Sequence, residues 1–130
     1  VLGKIIEAIE GRGFEAVLQT RILDPLGLRD TGMLRQEEVV PRLASTYFAR
    51  VPGGPLTPDM PMYPENWYAA GAMYSNAADL ATFVRALFAG TLLKPDSLAA
   101  LQVPGLDDYG FGVWSYTMKG GGRTHRVVKR

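Results

Sequence analysis

The stretch from Tyr68 to Leu93 reads YAAGAMYSNAADLATFVRALFAGTLL and contains the strongest helix signal in the chain. Apolar residues recur in it at the spacing of one helix face, and they are Leu80, Phe83, Val84, Leu87 and Phe88. Asn76 can cap the free amides at the start, and Gly90 suits the left-handed position that follows a helix. The sequence therefore predicts a helix over 77–88, with the carboxylate of Asp79 near its positive end.

Small residues precede this cap, in the run Ala69-Ala70-Gly71-Ala72. Such a run supplies no core bulk, and it usually allows another backbone or a ligand to come close. Tight packing of a strand against a helix is the structural interpretation, and the approach of a ligand is the functional one.

The composition is that of a globular protein with a sizeable core, because 47% of the 130 residues are hydrophobic. The 14 basic and 13 acidic residues give a net charge of +1, which argues against a nucleic-acid partner. The sequence contains no cysteine, and this excludes disulfides, thiol catalysis and cysteine metal sites.

The ends of the sequence and its hydropathy bear on targeting. No run of 18 apolar residues occurs, so we expect no transmembrane helix. No charged and then apolar leader opens the chain, so we expect no signal peptide, and the compartment stays undecided. The chain starts at Val1 inside an apolar helical pattern, which is typical of a piece of a longer protein.

Residues 1–28 are predicted to form a pair of helices. The first covers Val1 to Glu10, and the second covers Phe14 to Leu23 after a break at two glycines. We expect Asp24-Pro25-Leu26-Gly27-Leu28 to end the second helix, because the residue before a proline is pushed out of the helical region. Gly27 would then allow a tight turn.

Residues 29–67 lose this periodicity and are crowded with proline, so we predict a long ordered loop with a short strand within Ala44 to Val51. Aromatic side chains favour order because they need a surface to bury against. They are Tyr47, Phe48, Tyr63, Trp67 and Tyr68.

Residues 68–105 are assigned to the central helix region, in which Lys94-Pro95-Asp96-Ser97 opens a further short helix with Asp96 or Ser97 as its cap. Residues 109–130 are predicted to form a β-hairpin. Its strands would cover Tyr109 to Met118 and Arg123 to Lys129, joined at Lys119-Gly120-Gly121-Gly122.

Three segments carry a family resemblance. They read VLGKIIEAIEGRGFEAVLQTRILDPLGLRDTGM, AAGAMYSNAADLATFVRALFAGTLLKPDSL and YGFGVW, and a proline-rich loop separates the first two. In order and spacing they resemble the middle of the serine β-lactamase-like and penicillin-binding protein superfamily, which includes class C β-lactamases, D-alanyl-D-alanine carboxypeptidases and related esterases. The resemblance implies an α+β fold over residues 1–130 as a single partial domain: a mainly helical subdomain of the β-lactamase/transpeptidase-like fold with a C-terminal antiparallel hairpin.

Members of this superfamily acylate a serine in an S-x-x-K motif and use a Y-x-N motif and a K-T-G or H-x-G strand to complete the site. The chain has no S-x-x-K, because its serines at 45, 75, 97 and 115 are followed three residues on by Phe48, Ala78, Ala100 and Met118. The nucleophile and its lysine are therefore absent, and no catalytic residue is assigned.

Several short motifs look catalytic. Tyr74-Ser75-Asn76 spells Y-x-N, but by position it matches the helix-capping segment of the family, and the catalytic copy would fall just before Val1. Lys119-Gly120-Gly121 is more simply a hairpin turn, and His125 is followed by Arg126-Val127 rather than by x-Gly. The pairs Glu37-Glu38 and Asp107-Asp108 are interpreted as solvated loop residues. A lone histidine without cysteines predicts no metal site.

One part of the family's pocket maps onto this chain. The loop ahead of the central helix forms one wall of the substrate cleft in the family, and by position that wall corresponds to Tyr68, Ala70, Gly71 and Ala72. Class C β-lactamases often carry a tyrosine about where Gly71 falls. The chain therefore departs toward the carboxypeptidase or esterase pattern.

The resemblance implies a fragment of a serine hydrolase that transfers acyl groups from β-lactam, D-Ala-D-Ala peptide or ester substrates. We expect this chain alone to be inactive, without a cofactor, and able to self-associate through an exposed apolar face. The parent family is often periplasmic or extracellular. The alternative is a stand-alone, non-catalytic module that binds a peptide or glycan through its aromatic loop.

Overall fold

The computed structural model describes residues 1–59 and 63–129. Residues 60–62 of the predicted loop and Arg130 of the predicted hairpin lie outside these ranges. The residues divide into two compact units, Val1–Ala81 and Thr82–Arg130. The expectation of a single partial domain stays a prediction.

Helices begin the first unit, and the first of them is α1 at Leu2–Glu10, which ends at Gly11 with φ of 64°. Helix α2 covers Phe14–Leu18 and continues as a π-helical turn at Gln19–Leu23 and as α3 at Asp24–Leu26. Because these segments follow one another directly, the second predicted helix is confirmed and extends further than expected.

The predicted end within residues 24–28 is confirmed, but the expectation that Pro25 pushes Asp24 out of the helical region is wrong. Asp24 keeps helical angles of φ −64° and ψ −50°, and its amide donates to the carbonyl of Gln19, five residues back. This wider π turn accommodates the proline, which has no amide hydrogen to donate. The helix ends at Gly27, where φ is 65°.

Short elements interrupt the predicted loop of residues 29–67. They are β1 at Gly32–Met33, β2 at Tyr47–Phe48, β3 at Thr57–Pro58 and α4 at Pro64–Trp67. Strand β2 falls within the strand predicted at Ala44 to Val51 and pairs antiparallel with β3. A 3-10 turn at Tyr68–Ala70 follows α4, and β4 at Met73–Tyr74 then pairs antiparallel with β1.

The central helix α5 covers Ala77–Phe88, as predicted. Asn76 caps it, since the Asp79 amide donates to Asn76 Oδ1 at 2.8 Å. Gly90 follows with φ of 76°. Three residues of the predicted apolar face remain exposed, by fractions of 56%, 42% and 39%: Leu80, Val84 and Phe88.

Helix α6 at Pro95–Leu101 and the hairpin of β5 at Trp114–Gly120 and β6 at Arg123–Lys129 belong to the second unit. Lys94 rather than Asp96 or Ser97 is the N-terminal cap of α6, and no side chain bonds there, so that expectation is wrong. Gly121 and Gly122 make the hairpin turn with φ of 57° and 74°, angles that suit a two-residue turn. The predicted hairpin is thus confirmed, with Lys119 and Gly120 inside the strand.

The buried core is small among the described residues. Four apolar side chains are less than 8% exposed: Val17, Leu23, Leu28 and Ala72. On α1, Leu2 and Ile9 are each 76% exposed although they lie on its apolar face. No helix in the described ranges is both long and apolar enough to cross a bilayer.

Candidate active-site wall

The site is built on a strained turn. Tyr68, which opens the 3-10 turn, has φ of 43° and ψ of −127°. A residue with a side chain rarely adopts such angles, which cost on the order of 1–3 kcal/mol and persist only where neighbouring contacts determine them. The contacts that hold Tyr68 in this conformation therefore determine the geometry of the candidate site.

Helix α1 approaches this turn at Gly3, which is buried. A Cβ built on Gly3 would lie 2.6 Å from the Ala69 Cβ and 2.7 Å from the Tyr68 Cε1. Only a glycine leaves room for the turn to pack this closely on the helix. Of the small residues in the turn, Ala69 thus has a structural role, because it packs against a helix.

Glu7, one turn further along α1, collects three donors. Its Oε1 accepts from the Tyr68 hydroxyl at 2.5 Å and from the Phe14 amide at 2.9 Å, while its Oε2 accepts from the Lys4 ammonium at 2.7 Å. The Tyr68 ring also lies 5.5 Å from the Phe14 ring, and the Lys4 ammonium lies 4.9 Å from the Tyr68 ring centre. Glu7 thereby joins the start of α2 and the turn to α1.

These bonds shift three pKa values. The hydrogen bond from Lys4, followed by those from Tyr68 and the Phe14 amide, lowers the pKa of Glu7 to about 2. Partial burial, followed by the bond to Glu7, raises the pKa of Tyr68. The hydrogen bond to Glu7 raises the pKa of Lys4. Glu7 is therefore an anion, and Tyr68 a neutral donor, over the physiological range.

The low pKa of Glu7 predicts a loss of stability in acid. A carboxylate whose pKa is lower in the folded chain contributes stability above its ordinary value of 4.5, and that contribution is lost as the pH falls toward about 2. The urea midpoint of the chain should fall in this window, and it should fall less for Glu7→Gln, which has no charge to titrate. Parallel curves for the two proteins would contradict the assignment of this loss to Glu7.

The predicted wall residues differ in exposure. Tyr68 is half-buried, Ala70 and Gly71 are exposed, and Ala72 is 4% exposed. The Ala72 amide donates to the Tyr68 carbonyl at 3.1 Å, and the Ala72 carbonyl accepts from Leu34 at 2.8 Å. Apart from Gly71 itself and its two chain neighbours, no heavy atom of the described residues lies within 4 Å of a Cβ built on Gly71, which leaves open space beside the turn.

The Y-x-N lookalike belongs to a structural network. Ser75 Oγ lies 2.8 Å from Thr31 Oγ1, and Asn76 Nδ2 donates to Asp30 Oδ2 at 2.8 Å. Asp79 Oδ2 accepts from the Asp30 amide at 2.9 Å and from the Thr31 hydroxyl at 2.8 Å. The capping role predicted for this segment is confirmed, and the segment ties α5 to the loop before β1.

The other lookalikes lie apart from the turn in sequence and have local partners. Lys119 and Gly120 pair with β6, and His125 is an exposed strand residue whose Nε2 lies 3.2 Å from the Gly120 carbonyl. Glu38 lies 3.8 Å from Arg35. Within residues 1–59 and 63–129, no three His, Asp or Glu side chains come together as metal ligands would.

Sequence reasoning missed Gly3 and Glu7, although one signal was available. A glycine inside a helix costs up to about 1 kcal/mol relative to alanine, so Gly3 within an amphipathic pattern indicates close packing. The sequence contains no local pattern that places Tyr68 against Glu7, because 61 residues separate them.

The chain that forms α1, the turn and α5 matches a known protein family. A family model described as Beta-lactamase matches residues 1–124. The chain belongs to the β-lactamase family. The resemblance found in the sequence is therefore confirmed, and the α+β fold class agrees with the solved structures of this superfamily.

A human β-lactamase-like protein is one relative of this chain. It is 35% identical over an alignment of 109 residues that covers 80% of this chain and 21% of the human protein. Among solved structures, the chain is similar to a D-stereospecific amidohydrolase from Streptomyces sp., with 28% identity and a TM-score of 0.78. A D-amino acid amidase from Ochrobactrum anthropi SV3 follows, with 27% identity and a TM-score of 0.70.

The coverage of these matches is unequal. The Streptomyces structure matches 98% of this chain and 39% of its own length, and the Ochrobactrum structure matches 95% and 39%. The β-lactamase-family chain described here thus spans well under half of the proteins to which it is similar.

Proposed function

We propose that this chain supplies one wall of the substrate cleft in a serine hydrolase that transfers acyl groups through an acyl-enzyme, and that it is inactive by itself. The wall consists of Tyr68, Ala70, Gly71 and Ala72. The proposal includes a parent protein that provides the nucleophilic serine and its lysine, because the chain has no S-x-x-K motif.

The open space beside Gly71 carries this proposal. The turn is held on α1 by buried and hydrogen-bonded contacts, yet a Cβ at Gly71 would meet no described atom within 4 Å beyond those of its chain neighbours. A rigid backbone facing free space is suited to binding an extended substrate, since fixed groups position a reactant without further loss of entropy. Support for an amide substrate of D configuration comes from the amidohydrolase and the amidase to which the chain is similar.

A chimera tests the wall. In it, these 130 residues replace the matching 39% of the Streptomyces amidohydrolase. We expect the chimera to hydrolyse a D-amino acid amide, and Gly71→Leu to lower kcat/KM about tenfold or more, because the side chain would fill the space in front of the wall. Gly120→Leu is the matched control, since Gly120 also has no atom within 4 Å of a Cβ but lies in β5.

Labelling with a fluorophosphonate shows whether the chimera has a reactive serine. If the chimera is labelled and Gly71→Leu does not change its turnover of the D-amino acid amide, the proposed cleft wall is contradicted. The chain alone, treated with the same reagent and with a fluorescent penicillin, should show no adduct by intact mass. An adduct on Ser45, Ser75, Ser97 or Ser115 would overturn the proposed inactivity.

A second candidate is a non-catalytic binding module, and one observation favours it. Four of the five aromatic residues expected to be buried in the loop are exposed, by 58%, 43%, 58% and 52%: Tyr47, Phe48, Tyr63 and Trp67. Exposed aromatic rings suit the binding of a peptide or glycan. If the chain binds a peptide or a glycan saturably without hydrolysing it, and Tyr47→Ala abolishes this binding, the result would favour this candidate over the cleft wall.

Self-association also stays a prediction. The residues that would carry it are the exposed apolar side chains of α1, which are Leu2, Ile5 and Ile9.

A further inference from the structure

We infer that Glu7 is a positioning residue for the cleft wall: its Oε1 holds the Tyr68 hydroxyl and thereby fixes the turn of residues 68–71. The inference rests on the proposed function only in taking this turn as a substrate-facing wall. Glu7 itself lies on α1, and the hydrogen bonds described for it reach the proposed wall only through Tyr68.

Tyr68 needs to be held because its backbone is strained. At φ of 43° and ψ of −127°, the residue would relax toward an extended or helical conformation if its side chain were free. Relaxation would carry Ala70 and Gly71 with it, since they follow Tyr68 directly in the 3-10 turn. A side chain fixed at its far end prevents this movement.

The contacts of Tyr68 divide into two kinds. The Phe14 ring at 5.5 Å and the close approach of Gly3 exclude solvent and limit where the Tyr68 ring can lie. Neither contact prevents the ring from sliding along α1, because apolar contacts have little directionality. The hydroxyl bond to Glu7 has direction, and it fixes the position of the ring along the helix.

The two oxygens of Glu7 have separate roles. Oε1 accepts from both Tyr68 and the Phe14 amide, whereas Oε2 accepts only from Lys4 among the bonds described. The side chain of Glu7 is 23% exposed and that of Lys4 is 72% exposed. The bonds at Oε1 are part-buried and compete less with water, so the positioning role belongs to Oε1 and not to the ion pair.

A movement of Tyr68 would be transmitted toward β1 and β4 through backbone hydrogen bonds. The Tyr68 carbonyl accepts from the Ala72 amide at 3.1 Å, and the Ala72 carbonyl accepts from the Leu34 amide at 2.8 Å. Leu34 directly follows β1, which pairs with β4. The amides of Ala72 and Leu34 therefore report on the turn.

This division suggests a set of matched variants. Glu7→Gln keeps an oxygen at the Oε1 position but removes the negative charge and replaces the atom that faces Lys4, whereas Glu7→Leu removes both acceptors. Tyr68→Phe removes the hydroxyl and keeps the ring. Lys4→Met removes the partner of Oε2 together with the ammonium that lies 4.9 Å from the Tyr68 ring centre, an exposed contact that contributes little. Amide exchange of the 130-residue chain, followed by NMR, measures each effect at single residues.

Glu7→Leu and Tyr68→Phe should speed exchange at Ala72 and Leu34 about tenfold, because the turn then opens more often. Glu7→Gln should restore slow exchange, and Lys4→Met should leave it nearly unchanged. Amides of the β5–β6 hairpin should exchange alike in all variants. If Glu7→Leu does not fold, Tyr68→Phe still removes the bond with one atom changed.

Two results would overturn the inference. One is unchanged exchange at Ala72 in Tyr68→Phe. The other is an equal increase at amides whose bonds do not involve the turn, such as that of Leu28, which donates to the Leu23 carbonyl, without rescue by Glu7→Gln; this would show only a general loss of stability. A chimera without turnover would instead count against the proposed function and leave the exchange result to be judged independently.

Discussion

Asp79→Ala should lower the free energy of unfolding by about 1.5–3 kcal/mol, because hydrogen bonds to a charged group contribute about that much. The Asp79 carboxylate accepts from the Asp30 amide and from the Thr31 hydroxyl. Its removal leaves both donors without this acceptor and weakens the network that ties the start of α5 to the loop before β1, of which the bonds of Asn76 to Asp30 and of Ser75 to Thr31 remain. Urea unfolding of the variant and of the unchanged chain, followed by circular dichroism, measures the loss.

A matched control separates these bonds from the effect of the helix dipole. Asp96 lies in the first turn of α6, as Asp79 does in α5. Asp96→Ala should cost only the interaction with the helix dipole, about 0.3–1 kcal/mol. Equal losses for the two variants would mean that the bonds to the loop contribute nothing measurable.

Gly3→Ala should also destabilise the chain, by about 1–2 kcal/mol. Alanine gains up to about 1 kcal/mol as a better helix former, but forcing a methyl group into a filled site typically costs about 1–3 kcal/mol. The added Cβ would lie 2.6 Å from the Ala69 Cβ, and the turn that carries Ala69 begins with the strained Tyr68. We expect the overlap to outweigh the gain, as measured by urea unfolding.

The double variant Gly3→Ala with Ala69→Gly tests the cause, because it removes the nearer of the two clashing atoms. It should recover part of the loss. Gly13→Ala is the control: the nearest atom, Glu7 Oε1, lies 4.0 Å from its Cβ. A Gly3→Ala variant as stable as the unchanged chain would show that the turn moves away from α1 at little cost.

Helix α5 could be predicted to its last residue, because its signals are all local. The apolar spacing, the cap at Asn76 and the left-handed Gly90 each lie within or next to the helix. Pro25 shows where a local rule fails. The rule that a proline ends a helix assumes α-helical bonding, and here a π turn removes the conflict.

Contacts between distant residues could not be predicted in this way. The bond from Tyr68 to Glu7 spans 61 residues, and the pairing of β1 with β4 involves two residues on each strand. Neither leaves a period in the sequence. The position proposed for the wall therefore rests on the family resemblance, whereas the contacts that hold its turn on α1 are seen only in the structure.

The sequence also did not predict whether the apolar faces of the helices are buried. Periodicity shows which side of a helix is apolar, but it does not show what covers that side. Leu80 is 56% exposed on a face that the sequence alone would assign to a core. The aromatic residues of β2 are also exposed. An aromatic side chain gains from burial, but its presence in the sequence does not show that another part of the chain covers it.

The hairpin turn at Gly121 and Gly122 has a consequence for the order of folding. Seven residue pairs of β5 and β6 close across this turn, and such a hairpin forms within about 1–10 µs. Strands β1 and β4 must instead close a loop of roughly 40 residues with two residue pairs. We therefore expect the hairpin to form early and the Tyr68 turn late, so that the slowest step in folding is the one that places this turn on α1.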